Sequence, residues 1–245
     1  MPARVVCLIL LILSLASPLA AETAVETARA LVARYHEDPA GLDRARDLLE
    51  RALATDRQVD TMVMLSYVCF LQGDTRATTT EEKLAAYGRG RAVGKRAIEL
   101  APRNHDAHVW YAINTGRWGQ TKGIMRSLFL LPTVREEIDT IFALDPRSVR
   151  GHSLAGNVML ELPGIVGGDR AKAEAHFKQG LEVDPHFTVL RTDLARVYIA
   201  TGRYAEARRE LQRVLDERAP TIVADWTAKD VPRARALLES IRDRK

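Results

Sequence analysis

Cysteine is nearly missing from this chain: Cys7 and Cys69 are the only two among 245 residues. Cys7 lies in a stretch that reads as a cleavable leader. Arg4 supplies its positive start, Val5 to Ala16 an apolar core, and Ser17-Pro18-Leu19-Ala20-Ala21 a small-residue exit. A cut after Ala21 leaves Cys69 alone, which excludes a disulfide within the mature chain and leaves packing to stabilise it. Cys7 sits inside the apolar core rather than at its end, the wrong place for lipid attachment. Long hydrophobic runs are missing too. The apolar core falls short of the roughly 20 residues a membrane span needs. The expected location is therefore the periplasm or another exported compartment, with membrane contact only through residues 1–21 if they stay uncleaved. Aromatic residues are few, at 6%, which suits close helix packing through Ala and Leu. Neither sign of charge dominates: 36 Lys and Arg face 32 Asp and Glu, a formal +4, too mild an excess to point to nucleic acid.

What the chain does have is helical periodicity with regular punctuation. Leu194, Ala195 and Tyr198 share one helical face, Gly202 ends that helix, Ala207, Leu211 and Val214 share the face of the next, and Pro220 blocks continuation. Small Ala195 and Ala207 allow close approach, and Tyr198, Tyr204 and Leu211 fill the space around them. This spacing resembles a tetratricopeptide repeat, a helix-turn-helix unit of about 34 residues. One such unit cannot bury its own apolar face, so neighbours must stack on it.

Similar pairs precede it. Glu26 to His36 and Leu42 to Ala54 form the first, broken by Asp38-Pro39-Ala40-Gly41. Thr61 to Leu71 ends at a turn expected at Gly73-Asp74, and its partner opens late, at a capping box of Thr79 with Glu82. Asn104 to Thr115 begins the third pair. Gly116 to Gly123 reads as an irregular glycine-rich segment, and Pro132 as an interruption between Ile124 to Leu131 and Val134 to Leu144. Val149 to Leu162 and a helix ending at Val183 form the fourth pair, separated by an insert, Leu162 to Asp169, longer than a standard repeat allows. Asp230 is expected to cap a last helix, with Ala234, Leu237, Leu238 and Ile241 facing the repeats and Arg233, Arg235, Glu239 and Arg242 facing water. The expected fold is an all-α, tetratricopeptide-like right-handed solenoid of about five helix pairs plus a C-terminal capping helix, over residues 22–245.

Catalytic signatures fail on context. Gly151-His152-Ser153-Leu154-Ala155 approaches a nucleophile elbow, but no buried strand precedes Ser153. Gly88 to Lys95 suggests a phosphate loop, but the spacing misses and Arg96 stands where a magnesium-binding hydroxyl belongs. His105 and His108 lack a third ligand at metal-binding spacing. Cys69 lies in an apolar helix and reads as core. No enzyme activity, cofactor or metal is expected. Trp110, Tyr111, Trp118, Met125 and Phe129 are candidates to line a pocket for an apolar ligand.

Two segments narrow the family. Ala107-His108-Val109-Trp110-Tyr111-Ala112, followed by Gly119 and Gly123-Ile124, resembles the regulator of microtubule dynamics family of tetratricopeptide proteins. Ala171 to Pro185 and Leu194 to Leu215 continue that resemblance at repeat level. The Leu162 to Asp169 insert resembles the periplasmic T-component proteins of tripartite ATP-independent transporters. The first resemblance implies the helical fold and a non-enzymatic role; the second implies a small-ligand-binding accessory of a transporter. In tetratricopeptide arrays the first helix of each pair lines an inner groove. The repeat registers project Tyr67, Ile113, Arg150, Asn157 and Arg196 into it. Arg150 and Arg196 carry fixed charge and Asn157 both donors and an acceptor, a set suited to an acidic peptide or free carboxylate. The expected partner is thus a protein or peptide, with a small apolar or carboxylate ligand as the alternative.

Overall fold

The computed structural model describes residues 18–55 and 57–244, and among them all regular structure is helical. Ten helices make five consecutive hairpins. These are α1 (Pro18–Ala33) with α2 (Gly41–Thr55), α3 (Val59–Thr75) with α4 (Thr80–Leu100), α5 (His105–Lys122) with α6 (Ile124–Leu144), α7 (Val149–Glu161) with α8 (Arg170–Val183), and α9 (Thr188–Ala200) with α10 (Tyr204–Asp216). A short helix α11 (Val223–Asp225), a π-helical stretch Trp226–Asp230 and α12 (Val231–Ser240) follow. This is the expected all-α solenoid of five pairs with a terminal helix. Of the expected leader, residues 1–17, Cys7 included, lie outside the described residues, and its last four begin α1. No helix among the described residues is long and apolar enough to cross a membrane.

The helices form where the periodicity places them. On α10, Ala207, Leu211 and Val214 are fully buried while Arg209, Gln212 and Arg213 face solvent. Burying Leu211 and Val214 is worth about 1.5–3 kcal/mol each. Helix starts are chemically fixed. The Thr79–Glu82 capping box forms as expected, and Asn104, Ser148 and Asp169 accept from the backbone N–H groups of Ala107, Gly151 and Ala171. Each such cap contributes about 1 kcal/mol. One core joins α1 to α4, a second joins α8 to α10 with α12, and Val109, Trp110, Ala112 and Ile141 form a smaller cluster that meets the first through Val63, Tyr67 and Phe70.

Glycine and proline break the expected punctuation at three places. Gly73-Asp74 is no turn, because α3 continues to Thr75; a Cβ at Gly73 would lie 2.4 Å from the Tyr87 ring, so this glycine admits a side chain of α4. Gly156 on α7 does the same for Phe177 of α8, at 2.4 Å. Gly116 to Lys122 is helical, not irregular, and only Gly123, at φ +107°, breaks the chain. Gly119 lies close against Ser127 and Leu130 of α6, so packing offsets a propensity cost of about 1 kcal/mol per glycine. Pro132 does not interrupt α6. Its ring is exposed, and buried Leu130 and Val134 anchor the helix on either side.

The insert at residues 162–169 holds a 3₁₀ turn, Gly164–Val166, ended by Gly167 at φ +96°. Arg135 clasps it by donating to the Val166 carbonyl at 3.0 Å. The last element departs from expectation as well. Asp230 has helical dihedrals and caps nothing; it is buried and accepts from the Thr188 hydroxyl at 2.6 Å. Ala234 and Ile241 are buried against the repeats as expected, with Leu237 and Leu238 packed beside them.

Candidate binding cavity

Four of the five first helices turn one face towards a common hollow of about 490 Å³. α3 contributes Tyr67, Phe70 and Asp74, α5 Trp110 and Ile113, α7 Arg150 and Asn157, and α9 Asp193 and Arg196. All five residues expected in the groove, Tyr67, Ile113, Arg150, Asn157 and Arg196, therefore line one hollow. Each occupies the same face of the first helix of its pair, and stacking the pairs aligns those faces.

The two expected cations differ in state. Arg196 is spent inside the protein. It donates to Glu161, to Asp193 Oδ1 at 3.3 Å and to Asn157 Oδ1 at 3.1 Å, while the Asn157 amide donates to Asp193 Oδ2 at 2.8 Å. This closed network replaces the open clamp expected of Arg196 and Asn157. Arg150 sits otherwise. Its guanidinium lies 5.2 Å from the centre of the Trp110 ring and 5.7 Å from that of Phe187, and it hydrogen-bonds the Tyr67 hydroxyl. Among the described residues it has no carboxylate partner within ion-pair distance. Trp110 stacks on Tyr67 at 4.2 Å and meets Phe70 at 5.6 Å. Burial, with the Asp225 carboxylate, pushes the Tyr67 phenol above its ordinary range, so it stays protonated. The result is an aromatic wall bearing one cation without an ion-pair partner, with the Asp106 carboxylate beyond contact but near enough to feel its charge.

The open side of the hollow is crossed by the chain's end, which the repeat pattern does not place there. Ile222, Asp225, Lys229, Asp230 and Arg233 all face it. Three contacts fasten this segment across the stack. The Tyr35 hydroxyl donates to Asp225 at 2.7 Å, Lys229 reaches Asp74 at 2.5 Å, and Arg233 lies 3.3 Å from Asp193. Arg233 thus reaches over the hollow, with its side chain still partly in water. Burial works against the Asp74 carboxylate, but Lys229 and, at 3.4 Å, Arg117 outweigh it and hold its pKa below the ordinary value. Buried Asp230 shows the opposite: desolvation, reinforced by Asp225, pushes it up to about 6. No local pattern signals these cross-stack contacts, because their partners stand on helices of other repeats.

Other candidates disperse. Of the aromatic set, only Trp110 faces the hollow. Tyr111 is buried beside Gly94, Trp118 lies half-buried at Gly88, and Met125 and Phe129 are 77% and 72% exposed. Ser153 faces the hollow, but His152 meets His176 at 3.3 Å on α8. His105 bonds Ser148 and His108 bonds Glu137, at 2.8 and 2.5 Å. The described residues hold no cluster of three or more metal-binding side chains. Burial pushes the Cys69 thiol up to about 12, an unreactive state. The insert at residues 162–169 contributes nothing to the hollow.

Comparison with known proteins agrees with this architecture. The family model for regulator of microtubule dynamics protein 1-3 matches residues 24–161, and a tetratricopeptide repeat model matches residues 167–225. The chain is similar to regulator of microtubule dynamics protein 3 of Rattus norvegicus, at 24% identity over 67% of this chain and 38% of that protein. It is similar to the Mus musculus protein of the same name, at 24% identity over 59% of this chain and 35% of that one. It therefore spans well under half the length of these relatives. Among solved structures, a thermophilic tetratricopeptide protein of Thermus thermophilus superposes with a TM-score of 0.66 at 21% identity, over 89% of this chain and 100% of that one. Pseudomonas aeruginosa pilF superposes with a TM-score of 0.52 at 16% identity, over 90% and 91% of the two chains. With more than half of its length matched by the family model, the chain belongs to the regulator of microtubule dynamics protein 1-3 family.

Proposed function

We propose that this protein is a non-enzymatic helical scaffold that binds another protein by one end, holding an apolar, carboxylate-bearing terminus in the hollow between its repeats. The observation that carries this reading is Arg150, the one basic residue lining the hollow without a carboxylate partner among the described residues, set on the Trp110 and Phe187 rings. Stacked helical repeats present extended concave surfaces suited to protein partners. Here the C-terminal segment crosses that surface, so a terminus fits better than a peptide passing through. Tyr67, Ile113, Asn157 and Arg196 then serve as wall and frame, with Arg150 as the charged contact. A charged hydrogen bond of this kind contributes about 1.5–3 kcal/mol, or roughly tenfold or more in affinity.

Calorimetry with peptides ending in an aliphatic residue tests this. The free acid should bind at least about tenfold more tightly than the C-terminal amide, and Arg150→Ala should abolish the difference. Equal binding of acid and amide to the parent protein would refute the carboxylate reading. The enclosure of the hollow supports a second reading, a small-ligand-binding accessory, since about 490 Å³ lies within the range of ligand pockets. Native mass spectrometry of protein from its own host distinguishes the two: a retained mass of a few hundred daltons favours the small ligand. Export is part of the proposal and rests on the pattern of residues 1–21. N-terminal sequencing of the host protein should start at Glu22.

A further inference from the structure

Outside the lining of the hollow, the corner where α5 meets α6 exposes large apolar side chains. Ile124, Met125 and Phe129 are 66%, 77% and 72% exposed, three of the six large apolar residues so placed among the described residues. They stand on the first two turns of α6, next to Gly123, where a Cβ would meet nothing within 4 Å. Trp118 lies beside them, half-buried. Three cations ring it: Arg91 and Lys122 at 5.6 Å and Arg126 at 5.9 Å from the ring centre. Arg126 also lies 5.3 Å from the Phe129 ring, which ties the basic and apolar parts into one patch. Among the described residues none of the three cations has a carboxylate within ion-pair distance. The sequence reinforces this, because residues 107–135 contain no Asp or Glu but do contain Arg117, Lys122, Arg126 and Arg135.

We propose that this corner docks on an anionic phospholipid bilayer surface, with Ile124, Met125 and Phe129 entering the acyl boundary and Arg91, Lys122 and Arg126 resting at the headgroups. Charge complementarity carries the choice of occupant. Unpaired Lys and Arg beside protruding apolar residues are what an anionic interface attracts, and binding there scales with buried apolar area and charge without demanding a shaped receptor. The side chains protrude from a helix corner, whereas a protein groove needs a hollow to receive its partner. Trp118 suits the headgroup level, where aromatic rings of this kind concentrate.

Hydrogen exchange of the full chain tests this locally, apart from any vesicle binding by the N-terminal residues. Vesicles of phosphatidylcholine containing phosphatidylglycerol should protect residues 118–130, and pure phosphatidylcholine should not. Each cation near the surface is worth about fivefold in binding. K122E/R126E should therefore need at least tenfold more anionic lipid to reach the same protection, and M125S/F129S should lose most of it. All four side chains are exposed, so both variants should keep the parent's circular dichroism. No protection at 118–130 with anionic vesicles, or protection unchanged in both variants, would overturn the proposal. So would lipid-free protection that rises with protein concentration, which would make the corner a contact between copies of the chain.

Discussion

Asp230 offers a direct test of how the C-terminal segment is held. It is 2% exposed, accepts one hydrogen bond from Thr188 at 2.6 Å, and lies near the Asp225 and Asp193 carboxylates. Desolvation leads the perturbation, and the pKa rises from 3.8 to about 6 despite Thr188 and Lys229. At about 1.4 kcal/mol per unit, the charged form costs about 3 kcal/mol relative to the unfolded chain. Between about pH 4 and 6 the folded protein holds more protons than the unfolded one, so this group lowers stability as pH rises through that window. Asp230→Asn removes the titration while keeping an oxygen that accepts from Thr188. At pH 7 the variant should be about 1–2 kcal/mol more stable than the parent, the remainder lost to an imperfectly paired amide. At pH 4 the sign should reverse, because the parent carboxyl is then neutral in the folded state and only the amide's poorer pairing remains. Urea unfolding followed by circular dichroism at four pH values between 4 and 7.5 measures the difference, and groups common to both proteins cancel. If the two stability curves run parallel across that range, Asp230 titrates normally and its burial beneath α9 is wrong.

Lys229→Met leaves Asp74 inside the hollow with only the longer contact to Arg117; it should cost about 3 kcal/mol and speed limited proteolysis near residues 217–222. Gly156→Ala puts a Cβ 2.4 Å from the Phe177 ring, which is fully buried and has nowhere to go, so it should destabilise by about 1–3 kcal/mol even though alanine favours helix. Gly116→Ala meets nothing within 4 Å and should stabilise by up to about 1 kcal/mol. Thermal melts of these two single variants would expose an error in the helix register if the signs came out reversed.

The pattern of legibility follows from the range of each interaction. Hairpin order, the Thr79 capping box and the αL turn at Gly202 depend on neighbours within a few residues, and the sequence carries them. So does the convergence of Tyr67, Ile113, Arg150, Asn157 and Arg196, because repeat register is itself a local period. Gly73 and Gly156 are different. As punctuation they look like turn residues, but their role is set by rings on the following helix. Pro132 misleads for the same reason: buried Leu130 and Val134 hold α6 through it. The Asp193 contact to Arg196 is within reach of sequence, being three residues away on one helix face. Those of Glu161, Asp74 and Lys229 are not, because each meets its partner across the stack.

The charges around the hollow sharpen what such a site selects. Arg117 and Lys229 answer Asp74, and Arg196 and Arg233 answer Asp193, with Arg196 also on Glu161. A ligand that competed for any of these would have to break an internal pair before gaining its own, an exchange that roughly cancels. Arg150 has nothing to break. Its contacts are two ring faces and a phenol, the Asp106 carboxylate acts on it only from beyond ion-pair distance, and a carboxylate approaching from the hollow adds a partner without displacing one. A single available cation on an aromatic wall favours one negative charge attached to an apolar body over a polyanion. The segment from Ile222 to Arg233 adds a second filter, since Asp225 and Lys229 fasten it to the opposite end of the stack. Under the proposed function, geometry and charge favour the same occupant, a single anionic terminus that enters beside the segment rather than a chain that threads beneath it.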